Sequence, residues 1–492
     1  MDANARFRHI LSAATRLCGV RLLWKEHSMW SCRRAVLIPM ALLLAGCMAA
    51  TPTPRTASPD EVATRRVGLP ASLPAMKAFP ATRGTRPIRA NSLIMGDFLD
   101  LSFQLESGRP LPVLSRFEGP ISVTVAGRAP ARMQADLDQL LGRLRQEAGI
   151  NIRRKAGASS GQITIEMVPK RTLQRHVPHA ACFVAPNVAG WDDYLRHRGS
   201  ARTDWTQMRQ RTQMTVVIPP DVSPQEMRDC LHEEIAQALG PVNDLYRLEN
   251  SVFNDDNFHT VLTGFDMLIL RIYYAPELHS GMSRAEARQR LPGILKRLNP
   301  TGGTGTPRVT PPTPPAWKRA IADALGPRKP FAQRKAAALR AVSIARQKGW
   351  QGNRLAFSLY ALGQIHIQSD SQLAFAAFQE ANALYRERAG TDVHAAHIGV
   401  QMAAYTLSAG QLDQAIAIVN RHLPAVRKAQ NASLLATLLM IKAEALDRQG
   451  KTSDAARRRL DSLGWARYGF GSNAQVGARL REIAAIAPGS AG

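Results

Sequence analysis

The chain has 492 residues, enough for two or three domains each with its own core. Its apolar and aromatic content is that of an ordinary folded protein, which excludes a disordered or low-complexity chain. Its formal charge of +26 is not ordinary: seven of the 64 basic and two of the 38 acidic residues precede position 47, so about +21 remains beyond them. Such a surface favours anionic envelope polymers, anionic lipid or nucleic acid, with a scattered Arg-rich surface as the plainer reading. No basic helix with base-reading spacing, zinc knuckle or aromatic-studded sheet motif is present, so nucleic acid is not an expected partner.

Residues 29–47 read MWSCRRAVLIPMALLLAGC. Arg33 and Arg34 form a charged start, Ala35 to Leu44 an apolar run of ten residues, and Ala45-Gly46 a small-residue cleavage site. Ten residues cannot span a bilayer core of ~30 Å, so the run is an export signal and not an anchor. Leu44-Ala45-Gly46-Cys47 resembles the bacterial lipobox, which implies cleavage before Cys47 and its acylation. With Met48 and not Asp next, the analogy points to the periplasmic face of the outer membrane of a Gram-negative cell. Residues 1–46 are thus a signal region, in which Met29 is a natural start and residues 1–28 an over-extension. Residues 48–90, rich in Ala, Thr, Pro and Arg without apolar periodicity, read as a flexible tether.

From 91 to 220 strands and helices alternate. Ile121–Ala126 and Ile163–Val168 have strand periodicity, Met133–Ala148 is an amphipathic helix, and Met214–Ile218 is an apolar run stopped by Pro219-Pro220. His176 and His179 lie in a polar segment, candidate outside ligands or simply solvated.

The stretch from Ser223 to Asp244, SPQEMRDCLHEEIAQALGPVND, organises the rest. Ser223 is a natural N-cap, Pro224 suits the first helical position, and Glu226 completes a capping box. Gly240-Pro241 is the expected stop, with Gly240 in the left-handed cap. Met227, Leu231, Ile235 and Ala238 mark the buried face, with Glu234 at its edge and Glu233 and Gln237 on another side. A zinc motif H-E-x-x-H starts at His232 but fails at Ala236. Shifted by one, Glu233-Glu234-x-x-Gln237-x-x-Gly240-x-x-Asn243 has the spacing of the metzincin signature, with Glu, Gln and Asn in place of its three histidines. Neutral amide oxygens are poor zinc ligands, which favours a structural helix with a degenerate site.

Other segments fall in order around this helix: Phe98-Leu99-Asp100-Leu101-Ser102-Phe103, Arg116-Phe117-Glu118-Gly119-Pro120-Ile121, Ser251-Val252-Phe253-Asn254-Asp255-Asp256, Leu262 to Leu268 and Ile272-Tyr273-Tyr274-Ala275-Pro276. Together they resemble an uncharacterised domain family of proteobacterial putative lipoproteins, a domain of unknown function with zincin-like features, over roughly residues 91–296. The resemblance implies an α+β zincin-like domain, a small sheet with packed helices. It also implies Glu234 as the residue at the base position, with Glu233, Gln237, Asn243 and Asp244 as the candidate metal ligands. Met267 is either the methionine beneath such a metal or plain core. Asn254, Asp255, Asp256 and His259 form a polar cluster that reads as a turn or as an oxygen-donor metal site.

Cys18 and Cys32 precede the export signal, so only Cys182 and Cys230 remain in the folded part. In an oxidising compartment they form one disulfide; the alternative is two buried free thiols.

Residues 297–316, rich in Pro, Gly and Thr, read as a linker. From Trp317 to the end the pattern is helical with a forty-residue repeat: Gly363, Ala403 and Ala443, then Asp370, Gly410 and Gly450, then Ala415 and Ala455. This resembles the tetratricopeptide repeat with a longer period, which implies an all-α helical-repeat domain over 317–492 presenting a surface to a partner.

Two functions follow as expectations. The first is a non-catalytic outer-membrane lipoprotein without a cofactor, docking an envelope protein or peptide through the helical repeats and held to the membrane by its lipid. The second is a periplasmic zinc metallopeptidase in which Glu234 activates water.

Overall fold

The computed structural model describes residues 72–486 apart from 82, 156, 158–160, 179, 308, 327 and 328. The expected export signal, Cys47, most of the expected tether and His179 lie outside the described residues.

The first half is built on a five-stranded sheet of order β2-β1-β3-β5-β4, with β1 Ile121–Ala126, β2 Ile152–Arg154, β3 Ile163–Met167, β4 Phe183–Pro186 and β5 Met214–Ile218. Pairings are parallel except at the edge, where β4 runs antiparallel to β5. Thr124, Thr164 and Thr215 stand in register across the three central strands, all buried. On the other face Val123, Ile163, Ile165, Met214 and Val216 join the main core with two helices. These are α2 (Ala131–Ala148), which brings Leu137, Leu140 and Leu144, and α5 (Pro224–Leu239), which brings Met227, Leu231 and Ile235. Helix α1 (Asn91–Ser102) opens this half, the short α3 (Lys170–His176) and α4 (Trp191–His197) border the sheet, and α6 (Gly264–Tyr273) and α7 (Arg284–Leu298) close it. Of these strands β5 is buried at all five residues, and its near-continuous apolar sequence is that of a strand covered on both faces.

The second half is helical throughout its described residues. Helix hairpins α8/α9 (Pro315–Leu325, Phe331–Gln347), α10/α11 (Asn353–His366, Ser371–Arg386), α12/α13 (Asp392–Ser408, Leu412–Lys428) and α14/α15 (Ala432–Arg448, Thr452–Phe470) stack in order. Helix α16 (Asn473–Ala484) packs on the last pair. The small residue of the sequence repeat has a mechanical reason in its first unit: a Cβ on Gly363 would stand 2.6 Å from the Phe378 ring of the facing helix. Gly410 and Gly450 take positive φ at the hairpin turns, whereas Asp370 in the same register caps α11 through the Leu373 amide.

Local expectations are met unevenly. Ser223 caps α5 by accepting from the Glu226 amide at 3.1 Å, but the reciprocal half of the box is not made, because the Glu226 carboxylate turns to Lys170 at 3.3 Å. Gly240 is not left-handed either: its φ is −167°, and the residue is small because a Cβ would press on the Tyr273 ring at 2.9 Å. Orphan carbonyls at this end go instead to Arg211, fully buried, whose guanidinium donates to the oxygens of Gln237, Ala238 (2.7 Å) and Gly240 (2.5 Å). A cation there also complements the helix dipole.

The expected linker is shorter than read, since α7 continues to Leu298 and α8 begins at Pro315. Residues 72–90, placed in the tether by composition, run as a strap over both halves. Phe79 stacks on Trp465 at 4.5 Å, Lys77 pairs with Asp461, and the Gly84 amide donates to Glu147 at 2.8 Å. Among the described residues no helix is long and apolar enough to cross a membrane.

Candidate functional site

Helix α5 makes one of the contacts between the two halves. Near its start, Gln225 donates to Asn431 at 3.1 Å and accepts from the Ser433 amide at 2.9 Å, while Arg228 donates to the Gln430 carbonyl at 2.5 Å. The α13–α14 turn that supplies these groups is held by Gln430 at φ 54° and by the Asn431 cap on the Leu434 amide. One turn further along, α5 forms the wall of a cavity of about 240 Å³. Asp229, Glu233 and Glu234 line it from α5, His259 and Thr260 from the loop before α6, and Tyr360, His397 and Arg479 from the helical half.

The electrostatics follow from burial. Asp229 keeps 29% of its side chain exposed, and desolvation pushes its carboxyl up to about 7 against the opposing pull of Arg228 and of hydrogen bonds from Gln225 and Thr260. The same cause holds His259 and His397 down to about 3, with the nearby His394 adding to it, so both rings are neutral. Behind the cavity Asp256 is the hub of a buried network across the halves. Its Oδ2 accepts from Asn254 at 2.6 Å, Asn353 at 3.0 Å and His394 at 3.1 Å, the last two from the helical half.

The structure separates the residues singled out from the sequence. Glu234 is fully buried and, with Glu233, lines the cavity; Gln237 and Asn243, exposed by 1% and 3%, are not among its lining residues. Asn243 spends its amide on the Asp100 carbonyl at 2.9 Å. His232 accepts from the Leu262 amide through Nδ1 at 3.1 Å, and burial lowers its pKa well below the ordinary value, so it serves as a neutral structural acceptor. Asp244 parts from the α5 carboxylates and meets Glu106 and Asp255: one oxygen from each lies within 4.8 Å of the others. Among the described residues this is the one group of three His, Cys, Asp or Glu side chains that converges so closely. The signature positions of the helix offer one carboxylate and two amides, a poor donor set for zinc, and of the three only Glu233 lines the cavity.

The remaining candidates fall elsewhere. Cys182 and Cys230 form a disulfide that ties the entry of β4 to α5, with Cα atoms 6.0 Å apart. His176 lies edge-on to Trp191, 5.6 Å between centroids, and Met267 is core, 3% exposed. Asn254 and Asp256 make turn bonds, the Asp256 amide donating to Asn254 Oδ1 at 3.2 Å, and carry the network between halves as well. Sequence reasoning missed Asp229, whose position four residues before Glu233 was a usable signal. It also missed His394 and His397, whose i, i+3 spacing on one helix was another. Arg211 left no signal, because only the fold brings it to the end of α5.

Residues 91–293 match a family described as "Protein of unknown function (DUF2927)". No curated protein matches the chain, and no solved structure matches it.

Proposed function

We propose that this protein is a non-catalytic recognition protein, lipid-anchored at the periplasmic face of the outer membrane, and that the cavity between α5 and the helical half holds part of an envelope protein or peptide. The observation that carries this reading is the composition of the cavity wall. The helical half is hydrogen-bonded onto the helix where a zincin-like domain would grip its metal, and the cavity takes in Glu233 and Glu234 without Gln237 or Asn243. A five-stranded sheet with α5 laid against it supports the zincin-like kinship, and stacked hairpins with a forty-residue period support the tetratricopeptide-like one. At about 240 Å³ the cavity lies below the ~300–1,000 Å³ of drug-sized ligand sites. It suits one side chain or chain end, and half-buried Asp229 and Glu233 favour a basic one.

The test uses the full chain. Crosslinking in the envelope is expected to capture a partner that the Asp229→Asn/Glu233→Gln double variant loses. Protein purified without chelators should carry no stoichiometric zinc. Stoichiometric zinc together with hydrolysis abolished by Glu234→Gln would establish the peptidase instead, and crosslinks unchanged in the double variant would remove the cavity from recognition.

Binding to anionic envelope polymers is a second, compatible reading. It is favoured by another cavity, about 490 Å³, which Arg83, Arg86, Arg89, Arg143 and Lys428 line. Retention on lipopolysaccharide that salt removes is its expected signature.

A further inference from the structure

Glu106 stands in the loop after α1, Asp244 in the exit from α5, and Asp255 in the loop that carries the network between halves. Glu106, distant in sequence, and Asp244 and Asp255, eleven residues apart, thus bring one carboxylate oxygen each to within 4.8 Å. Asp244 is 2% and Asp255 6% exposed, so water does little to screen their mutual repulsion. A second observation points the same way. The hydroxyl of Tyr246, a residue 1% exposed, is buried without a hydrogen-bond partner. Its charged neighbours are Asp255, Asp256, Asp244 and Glu106. That hydroxyl has an oxygen lone pair to offer. Beside it Asn353 donates its amide to the Tyr246 carbonyl at 2.9 Å and to Asp256, while its own Oδ1 is buried without a donor.

We infer that Glu106, Asp244 and Asp255, with the Tyr246 hydroxyl, form a binding site for a hard divalent cation of the calcium class. The donors are all oxygen, which selects against zinc and for calcium or magnesium. Their origin in three irregular segments suits the variable coordination of calcium better than the strict octahedron of magnesium. Such an ion offsets the clustered negative charge and joins the loops on which the helical half rests, since the Tyr246 ring packs edge-on to Trp317 at 4.9 Å. The site is separate from the α5 cavity and does not depend on what that cavity recognises.

The experiment uses the full chain stripped with EDTA. Calcium is expected to raise the melting temperature over the EDTA sample, and bound terbium to give aromatic-sensitised emission that calcium displaces. Glu106→Gln, at a half-buried loop position, and Asp255→Asn should each weaken terbium binding at least tenfold. Tyr246→Phe should weaken it less. The inference is overturned by equal melting in EDTA and millimolar calcium without displaceable emission, by Glu106→Gln binding as the parent does, or by a response to magnesium alone.

Discussion

At Asp229 a single carboxyl couples the cavity to pH. Its folded pKa, about 7, lies above the ordinary 3.8, so the folded state holds the extra proton between those values. Stability contributed by this group is present at low pH, falls as pH rises through that window, and is level above it. Asp229→Asn should flatten the slope and stabilise the protein at pH 8 by about 2 kcal/mol, roughly half the full linkage because the side chain is part exposed. Urea denaturation at pH 5 and pH 8 measures both effects; a parent curve more stable at pH 8 than at pH 5, unchanged by the variant, would show that Asp229 is ionised throughout. The sequence put carboxylates on this helix but gave no means of ranking them. Glu234 drew attention at the edge of an apolar face, whereas the carboxyl with the shifted proton lies four residues before its neighbour Glu233, where the helical half and Thr260 strip its water.

Helix α5 shows how an element is legible from within and illegible at its ends. Its cap at Ser223, its proline and its apolar stripe are local matters of spacing, and they stand where the sequence put them. The C-terminal stop stands at the right residue for a different cause. Gly240 makes room for Tyr273, and Arg211, only 2% exposed, takes the carbonyls a left-handed glycine would have helped satisfy. Arg211→Met should cost about 3 kcal/mol, since it strands buried carbonyl oxygens that now accept from a charged donor. Arg211→Lys should recover only part of that, having one donor group where the fork has several. The midpoint of denaturation at constant slope reads the difference, and a Met variant as stable as the parent would reassign Arg211 to packing alone.

Across the whole molecule a buried network joins the two halves: Asp256, buried in the first, accepts from Asn353 and His394 of the second. Calorimetry of the full chain should give one cooperative transition. Asp256→Ala removes the acceptor of four buried donors, on Asn254, Asn353, His394 and Phe258, and should cost about 3–5 kcal/mol, splitting that transition in two. Two transitions in the parent would mean the interface contributes little. The strand and helix periods and the forty-residue repeat are statements about neighbours along the chain, and short-range physics was enough to read them. The segments that meet over α5 lie a hundred or more residues apart: Glu106 beside Asp244, Asp256 beside His394, Phe79 on Trp465. What they become depends on water excluded only after packing, so the tertiary structure alone decided which carboxylates are screened, which are clustered and which hold their protons.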